Sequence, residues 1–361
     1  MKAALFYGGP DIRVEEIPRP EPGPGEVLVR VRAAGICGSD LHGYRRARPA
    51  PEPGQALVGR ENGHELAGTV AALGPDVAGM AVSGLTVGQR VGIEPEHLIG
   101  CGRCVYCRRG DEHLCPTRGQ RHGERQGSHG FSEYDVCAAR NVHALPDSVS
   151  DEAAAILDCY ACAVHAVHRA PVLPYATIAV IGTGAIGMNV GQVARASGAR
   201  RVVMVGTRPE PLTVAEAAGA ADTGIANSAT DPVAAVLDLT GGEGADVVFE
   251  TVGGTATTLD QAWTLVRHRG RVVVLGVFEG AVPVRLLPPL GREVDALFAN
   301  CYGESEGRHD YAIAIDWIAT GKAPVGRLLT HRFSLEEAPE AFRVADDKRS
   351  GAVKVQLFPA S

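Results

Sequence analysis

Short hydrophobic runs, divided by polar and glycine- or proline-rich turns, fill the first ~150 residues. Runs such as EVLVRVRAAG, HELAGTVAALG, QRVGIEP and SEYDVCAA are rich in β-branched residues. Turn signals recur about every ten to fifteen residues, which is typical of all-β domains. The pattern predicts a mostly antiparallel, barrel-like β domain.

From Asp151 the hydrophobic residues follow a helical period. DEAAAILDCYACAVHAVHRA is alanine-rich and predicts helical structure, with Asp151 and Glu152 placed to complement a helix N-terminus. We expect Asp158 at the start of the helix that leads into the next part of the chain. After Pro174, the apolar runs TIAVIG, RRVVMVG, ADVVFE and GRVVVLG predict strands, and AIGMNVGQVARASG, PLTVAEAAG and TATTLDQAWTLVRH predict the helices between them. This alternation indicates a parallel, doubly wound α/β sheet. The tail predicts two more helices around RFSL and a closing strand, GAVKVQLFP.

Length and charge narrow the class of protein. A chain of 361 residues is too long for one ordinary core, so we expect two domains. A net charge of −7 argues against a nucleic-acid or anionic-membrane partner, since both need basic patches. No segment approaches the ~20 apolar residues that span a bilayer, and the N-terminus predicts a first strand rather than a signal peptide. We therefore expect a cytoplasmic protein with no nucleic acid and no membrane partner.

The segment VIGTGAIG follows a predicted strand and opens a predicted helix. It places Gly182, Gly184 and Gly187 in the G-x-G-x-x-G pattern of dinucleotide-binding turns. The N–H groups at the start of the helix, around Ala185 and Ile186, can bind phosphates. A glycine-rich turn that binds nothing is the alternative, and the strand–helix alternation that follows favours a cofactor site.

About twenty residues after this turn, a dinucleotide fold usually carries an acid that binds the ribose hydroxyls. Here the segment MVGTRPEP offers Gly206, Thr207 and Arg208 instead. An acid would repel a 2′-phosphate, whereas a guanidinium suits phosphate oxygens. The segment therefore predicts NADP(H) rather than NAD(H). A solvent-facing arginine is the alternative, but it does not explain the missing acid.

Four of the nine cysteines lie in CGRCVYCRRGDEHLC: Cys101, Cys104, Cys107 and Cys115. Such crowding in a reducing compartment indicates a metal rather than disulfides. Two-residue spacers let a loop fold around a tetrahedral zinc, and four protein ligands leave no position for substrate. We therefore predict a structural zinc lobe over residues ~95–116. An iron–sulfur cluster is the alternative, although the usual following C-x3-C-P is absent.

Further candidate residues are scattered over three segments. GICGSDLH, GHELAGTV and LDCYACAVH supply Cys37, Ser39, Asp40, His42, His64, Glu65 and Asp158. Singly, each has an ordinary explanation, such as a buried cysteine, a core histidine or a capping carboxylate. Together they fit a catalytic zinc, because three ligands of mixed N, O and S type leave a position for a substrate oxygen. A hydroxyl two residues after the cysteine can pass a proton outward.

These motifs, with GQRVGIEP and LLTHRFSLEEAPEAF…GAVKVQLFP, make the chain resemble the zinc-dependent alcohol dehydrogenases of the medium-chain dehydrogenase/reductase superfamily. The likeness covers nearly the whole chain. By this resemblance the catalytic-zinc ligands fall on Cys37, His64 and Asp158, and Glu65 lies beside the metal and can coordinate it transiently. An acid at Asp158 is similar to the polyol, butanediol and threonine dehydrogenase branch.

The resemblance also implies a proton relay through the hydroxyl of Ser39 and then His42. It implies a GroES-like catalytic domain, residues 1–156 and 297–361, and a Rossmann cofactor domain, residues 157–296. Members of the family are usually homodimers or homotetramers, so we expect one of these states. Two zinc ions per chain, one catalytic and one structural, and NADP(H) are the implied cofactors.

Two segments depart from the family pattern. Gly59-Arg60-Glu61 is a near-copy of the Gly-His-Glu motif with arginine at the ligand position, and we select His64 because GHELAG continues correctly. The segment LFANCYGESEGRHDY, residues 297–311, matches no substrate class that we can name.

The leading hypothesis is a zinc-dependent dehydrogenase that transfers a hydride between NADP(H) and a secondary alcohol or polyol, or the matching ketone. A zinc-independent enoyl or quinone reductase on the same scaffold is one alternative, but such relatives lack the cysteine lobe and the Cys/His/acid set. A zinc- and NADPH-binding sensor or interaction protein without turnover is the alternative that is not an enzyme. The sequence leaves the substrate open, because pocket side chains come from separate loops.

Overall fold

The computed structural model describes residues 1–45, 63–79, 84–119, 130–305 and 307–359, so Gly59-Arg60-Glu61 lies outside the described residues. The chain forms two compact units. Unit 1 comprises Met1–Asp158 and Leu329–Ser361, and unit 2 comprises Cys159–Leu328.

The strands, in chain order, are β1 (Lys2–Phe6), β2 (Ile12–Glu16), β3 (Glu26–Gly35), β4 (Glu65–Leu73), β5 (Arg90–Ile93), β6 (Tyr134–Ala138), β7 (Val142–Ala144), β8 (Thr177–Ile181), β9 (Arg201–Gly206), β10 (Thr223–Ala226), β11 (Ala245–Glu250), β12 (Val266–Val274), β13 (Asp295–Phe298), β14 (Glu304–Ser305), β15 (Arg308–His309), β16 (Leu329–Ser334) and β17 (Lys354–Phe358). The helices are α1 (Gly38–Arg45), α2 (Asp151–Ala154), α3 (Leu157–Arg169), α4 (Ala185–Ala196), α5 (Pro209–Ala217), α6 (Pro232–Leu239), α7 (Thr258–Leu265), α8 (Leu287–Gly291), α9 (Asp310–Ala319) and α10 (Ala338–Asp346). Within the described ranges, no helix is long and apolar enough to cross a membrane.

Unit 1 is built on a mostly antiparallel sheet with the strand order β16-β17-β3-β4-β5-β7, and β6 pairs with β3. Only β16 and β17 run parallel within it. The alternating apolar residues of β3, such as Val29 and Val31, pack with Phe342 of α10 into one buried core. This confirms the prediction of a mostly antiparallel β domain.

Unit 2 contains a six-stranded parallel sheet with the order β10-β9-β8-β11-β12-β13. The chain moves outward from β8 to β10 and then returns to place β11 on the other side of β8. At such a switch point the loops that follow the two central strands diverge and leave a crevice at the carboxyl edge of the sheet. This confirms the doubly wound Rossmann fold.

The region of helical period from Asp151 forms two helices, and Asp158 lies at the start of the second, as predicted. α2 ends at Ala154 and α3 begins at Leu157, with Ala155 and Ile156 buried between them. The carbonyl oxygen of Ala155 lies so close to β3 that a Cβ at Gly35 would approach it to 2.9 Å. Packing against β3 therefore redirects the chain and places Asp158 in the first turn of a new helix.

The division between the units differs from the one expected at residue 297. Residues 297–328 lie in unit 2, because β13 pairs with β12 and α9 packs within the same unit. The carboxylate of Asp310 in α9 accepts hydrogen bonds from His165 (2.9 Å) and His168 (3.1 Å) of α3. The Arg327 guanidinium donates to the carbonyl oxygen of Ala217. The first division falls after Asp158 rather than after residue 156.

Candidate functional site

The turn that follows β3 positions Cys37 and is held by a buried acid. The backbone N–H of Cys37 donates to Oδ2 of Asp40 at 2.8 Å, and Asp40 has no exposed surface. β3 ends at Gly35, where an added Cβ would come within 2.1 Å of Oε2 of Glu65. Glycine at this position therefore makes room for the Glu65 carboxylate close to the Cys37 turn.

His64 lies directly before β4, and its ring lies between two carboxylates. Nδ1 is 3.6 Å from Oδ1 of Asp40, and Nε2 is 4.0 Å from Oδ2 of Asp158. Burial lowers the pKa of His64, but the negative charges of Asp40 and Cys37 outweigh burial and raise it well above its usual value. When the ring is neutral, an Nδ1–H that faces Asp40 leaves the Nε2 lone pair on the side of Asp158, which is the orientation that a metal-binding histidine needs.

The structure groups two of the predicted ligands of the catalytic zinc, His64 and Asp158, with Glu65, and it places the third, Cys37, near Glu65. One ligand atom from each of His64, Glu65 and Asp158 lies within 4.8 Å of the other two. Sγ of Cys37 also lies within 4.8 Å of a carboxylate oxygen of Glu65. Cys37 also lies close enough to His64 to raise the pKa of its imidazole. A thiol, an imidazole and carboxylates are the donors that zinc prefers. The donor set fits zinc, and the assignment of each residue as a ligand stays a prediction.

Lys354 is a neighbour of this cluster that the sequence analysis missed. Its ammonium group pairs with Oε2 of Glu65, and the side chains are 2% and 0% exposed, respectively. Nζ also donates to the carbonyl oxygen of Ile36 at 3.3 Å. Burial raises the pKa of Glu65 to about 7, and the charge of Lys354 opposes that rise. The only signal in the sequence is a lysine inside the apolar closing run AVKVQLF.

Asp40 is the second residue whose role the sequence analysis did not assign. It stands three residues after Cys37 in the first turn of α1, where an acid is an ordinary helix feature. Only its distance to His64, which is far away in sequence, distinguishes it from such a residue. Ser39 and His42, the predicted proton relay, lie three residues apart on the same helix and so share a face. Ser39 is exposed and His42 is half-buried.

The sulfur atoms of the four-cysteine lobe form one cluster in unit 1. Each of Cys101, Cys104, Cys107 and Cys115 offers a sulfur within 4.8 Å of the other three. Sγ of Cys107 lies 4.0 Å from that of Cys101 and 3.4 Å from that of Cys104. A disulfide needs about 2.05 Å, whereas four sulfurs bound to one zinc at ~2.3 Å lie about 3.8 Å apart. The spacing therefore fits a tetrahedral zinc.

Hydrogen bonds around the lobe favour the thiolate form at Cys101 but not at Cys107. The N–H of Cys101 donates to Sγ of Cys115 at 3.3 Å, and the N–H of Cys104 donates to Sγ of Cys101 at 3.4 Å. Backbone N–H groups of Arg103 and Cys104 lower the pKa of Cys101 to about 6. Burial and the neighbouring sulfur of Cys104 raise the pKa of Cys107 to about 12. A divalent cation at the centre would lower the pKa of Cys107, because a bound cation stabilises thiolates.

The glycine turn of unit 2 has the geometry that its pattern predicts. Gly182 follows β8 with φ of +116°, and a Cβ there would lie 2.5 Å from Oγ1 of Thr251. A Cβ at Gly187 would lie 2.2 Å from the carbonyl oxygen of Gly182, so this glycine lets α4 pack on the turn. At Gly184, by contrast, a Cβ would meet nothing within 4 Å. The middle glycine therefore faces open space, which a pyrophosphate could fill.

The start of α4 supplies free donors beside that space. Gly184 is the N-cap, and no side chain caps the helix there. The first N–H groups of the helix, those of Ala185, Ile186 and Gly187, have no partner within the helix. Together with the positive end of the helix dipole, they form an anion-binding cradle.

The segment after β9 carries the three residues from which the sequence predicts NADP(H). Gly206 is buried at the end of the strand, and a Cβ there would approach Cγ2 of Thr183 to 2.5 Å. Thr207 is exposed, and Arg208 is the half-buried N-cap of α5 without a side-chain cap bond. Among the described residues, the Arg208 guanidinium has no ion-pair partner. Thr183 thus occupies the space that the side chain of a ribose-binding acid would need at Gly206. The guanidinium of Arg208 follows two residues later.

Comparison with known proteins identifies the family. The zinc-binding dehydrogenase family matches residues 185–320, and the alcohol dehydrogenase GroES-like domain matches residues 23–147. The chain belongs to the zinc-dependent alcohol dehydrogenases of the medium-chain dehydrogenase/reductase superfamily. The family match confirms the GroES-like assignment of the antiparallel domain.

Relatives of this chain match it over nearly its whole length. The erythritol/L-threitol dehydrogenase of Mycolicibacterium smegmatis is 34% identical and covers 100% of this chain and 98% of its own. The sorbitol dehydrogenase of Bacillus subtilis is 32% identical and covers 99% and 97%. A zinc-binding dehydrogenase of Sinorhizobium meliloti, solved bound to NADP, is 31% identical over 99% of both chains, with a TM-score of 0.83.

Proposed function

We propose that this protein is a zinc-dependent dehydrogenase that transfers a hydride between NADP(H) and a secondary alcohol or polyol, or the matching ketone. The observation that carries the proposal is the group of His64, Glu65 and Asp158, with Cys37 near Glu65, which together offer zinc donors of three kinds. The dehydrogenases of sorbitol and of erythritol among the relatives support a polyol-like substrate class. When bound, zinc supplies a Lewis acid for the substrate oxygen, and the nicotinamide carries the hydride.

Two residues beside the cluster support it: one orients the ring of His64, and the other compensates the charge of Glu65. Asp40, whose Oδ1 lies 3.6 Å from Nδ1 of His64, orients the ring electrostatically, so that Nε2 stays on the side of Asp158. Lys354 compensates the charge of Glu65 in a buried setting, where an unpaired carboxylate would be costly. The hydroxyl of Ser39 receives the proton of the substrate, and His42 passes it outward to water.

The NADP preference rests on three neighbouring positions. The buried Gly206 leaves no carboxylate that would repel a 2′-phosphate, and Thr183 packs where such a side chain would start. Arg208 offers the unpaired guanidinium, and Thr207 adds a hydroxyl and an N–H. A charge-assisted contact to phosphate contributes roughly 1.5–3 kcal/mol, or about one to two decades in cofactor preference.

The structural zinc is the second metal of the proposal. The four sulfur atoms of the lobe fit a closed tetrahedral site, which needs reduced thiols. Reduced thiols persist in the cytoplasm, and a cytoplasmic location is accordingly part of the proposal.

A homodimer or homotetramer is the proposed assembly. β13 is the edge strand of the parallel sheet of unit 2, and Phe298 at its end is 70% exposed. Leu286, Leu287 and Leu290, in and beside α8, are also more than two-thirds exposed. An unpaired strand edge beside exposed apolar side chains is a surface that a second copy can cover.

The experiment is a screen of alcohols, polyols and amino alcohols for zinc-dependent reduction of NADP and of NAD. The proposal predicts turnover with at least one substrate and a higher kcat/KM with NADP. Arg208→Ala should remove about one to two decades of that preference. The triple variant Thr183→Ala, Gly206→Asp and Arg208→Ala should reverse it, since Thr183→Ala makes room for the new side chain. A wild-type preference for NAD would contradict the cofactor assignment.

A further inference from the structure

A second pocket of unit 2 lies at the amino-terminal edge of its sheet. Its lining includes Leu173, Asp246, Val247, Arg267, Arg269 and Arg271. The empty space, counted to its solvent-open mouth, is about 340 Å³. The five residues of β8 separate this edge from the glycine turn, which is a distance of about 17 Å at ~3.3 Å per residue. The pocket is therefore separate from the cofactor cradle.

Three guanidinium groups line this pocket, and each meets a carboxylate through Nε. Nε of Arg267 donates to Asp246 at 2.8 Å, and Nε of Arg269 donates to Glu293 at 2.7 Å. Nε of Arg271 lies 3.8 Å from Oδ2 of Asp295. A guanidinium has five N–H donors, so these contacts leave most of the terminal Nη donors available. Within the described part of the chain, only Arg267 engages one of them, in a hydrogen bond to the carbonyl oxygen of His268.

The local charge balance favours an anion. Asp246 is fixed by the N–H of Thr177 at 2.8 Å, in addition to Arg267. Glu293 and Asp295 are each 68% exposed, and exposed ion pairs of this kind are weak enough for a bound anion to displace. A fourth guanidinium, that of Arg292, bonds to the carbonyl oxygen of Val266 at 3.0 Å and has no carboxylate partner among the described residues. Arg292 is not part of the lining, but its carbonyl oxygen accepts from the N–H of Arg269, so it adds an uncompensated positive charge beside the pocket.

Backbone strain at two residues of this region also points to a binding site. Arg269 has φ of +55° and Glu293 has φ of +51°, in the left-handed region that favours glycine. The N–H of Arg269 donates to the carbonyl oxygen of Arg292 at 2.9 Å and holds this conformation. A large charged side chain stands where glycine would be less strained, and such positions tend to coincide with binding sites.

We propose that this pocket binds a phosphate group on the Nη atoms of Arg267, Arg269 and Arg271. Guanidinium groups match phosphate oxygens in pairs, and three of them can engage three oxygens. Leu173 and Val247 form an apolar wall beside the arginines. The pocket therefore accepts either free phosphate or the phosphate of a small phosphorylated metabolite whose carbon skeleton lies along that wall.

Calorimetric titration of the full-length chain tests this, with Arg208→Ala as the background so that the proposed 2′-phosphate contact is absent. The cradle at the start of α4 is the same in every variant, so differences between variants report on the arginine pocket. Inorganic phosphate and glycerol 3-phosphate are the two probes. Saturable binding is expected, and Arg269→Gly and Arg271→Gln should each weaken it about tenfold or more. Arg269→Gly also relieves the positive φ, so the loss should come without loss of folding. Arg285→Gln, which removes an exposed arginine paired with Asp260, is the matched control and should change nothing.

Tighter binding of glycerol 3-phosphate would identify a phosphorylated metabolite as the ligand, and equal binding would identify free phosphate. No saturable binding of either probe would overturn the proposal, as would equal weakening by Arg269→Gly and the Arg285 control. Neither result depends on turnover, so the proposed dehydrogenase activity stands or fails separately.

Discussion

The two metal-ligand clusters of unit 1 differ in where their members lie along the chain. The lobe takes its four sulfurs from Cys101 to Cys115, and its closest groups are neighbouring backbone N–H donors. The other cluster joins Cys37, His64 and Asp158, and it depends on residues from further elements for orientation and charge. The lobe is a closed cluster whose ligands are near one another in sequence, which suits a structural role. The second cluster, called the open cluster below, joins ligands from distant segments and can leave a position for a substrate.

The largest expected effect is the loss of turnover in Cys37→Ser. A metal contributes several kcal/mol to the transition state, so kcat/KM should fall at least about a thousandfold. Circular dichroism should show an unchanged fold. Cys137→Ser is the matched control, because Cys137 is buried in β6 outside both clusters. More than a tenth of wild-type activity in Cys37→Ser would rule out this ligand.

Ser39→Ala tests whether the hydroxyl of Ser39 relays a proton from the cluster that contains Cys37 and His64. Turnover should fall about 10²–10⁴-fold with zinc content unchanged, which is the range for a relay step. His42→Ala should be milder, since water can replace an outer station. The matched control is Thr117→Ala, which removes a hydroxyl 3.4 Å from Sγ of Cys115 and should leave turnover intact. Near-normal turnover in Ser39→Ala would show that the proton leaves by another route.

Cys104→Ser should affect stability rather than chemistry. Loss of a structural zinc removes folding free energy, and the melting temperature should fall by about 2–4 °C for each kcal/mol lost. Calorimetry and activity per folded molecule measure the two effects separately. Equal melting temperatures for Cys104→Ser and the wild type would contradict a structural role for the lobe.

Asp40→Asn should weaken metal binding at the open cluster alone. Groups that orient a metal-bound histidine typically contribute about 10–100-fold in affinity, which competition with a chelator can measure. The lobe should keep its zinc in the same titration. Asp11→Asn, at an exposed acid paired with Arg13, is the control. An unchanged zinc affinity would mean that His64 does not need Asp40.

The comparison also explains how far the sequence could be interpreted. The lobe and the glycine turn could be recognised because their spacing is local. Strands β3 and β4 were predicted to within a residue, since their apolar runs are bounded by turns. The contribution of Lys354 could not be predicted, because its contact with Glu65 spans 289 positions. The division expected at residue 297 failed for a similar reason: the hydrogen bonds that tie α9 to α3 join Asp310 to residues more than 140 positions away.

The central claim is that one chain holds two zinc ions of different kinds, and elemental analysis tests it most directly. The account predicts two zinc ions per wild-type chain, and one each in Cys37→Ser and Cys104→Ser. The remaining ion should be structural in the first variant and support turnover in the second. One zinc or none in a folded, active wild-type preparation would contradict the claim.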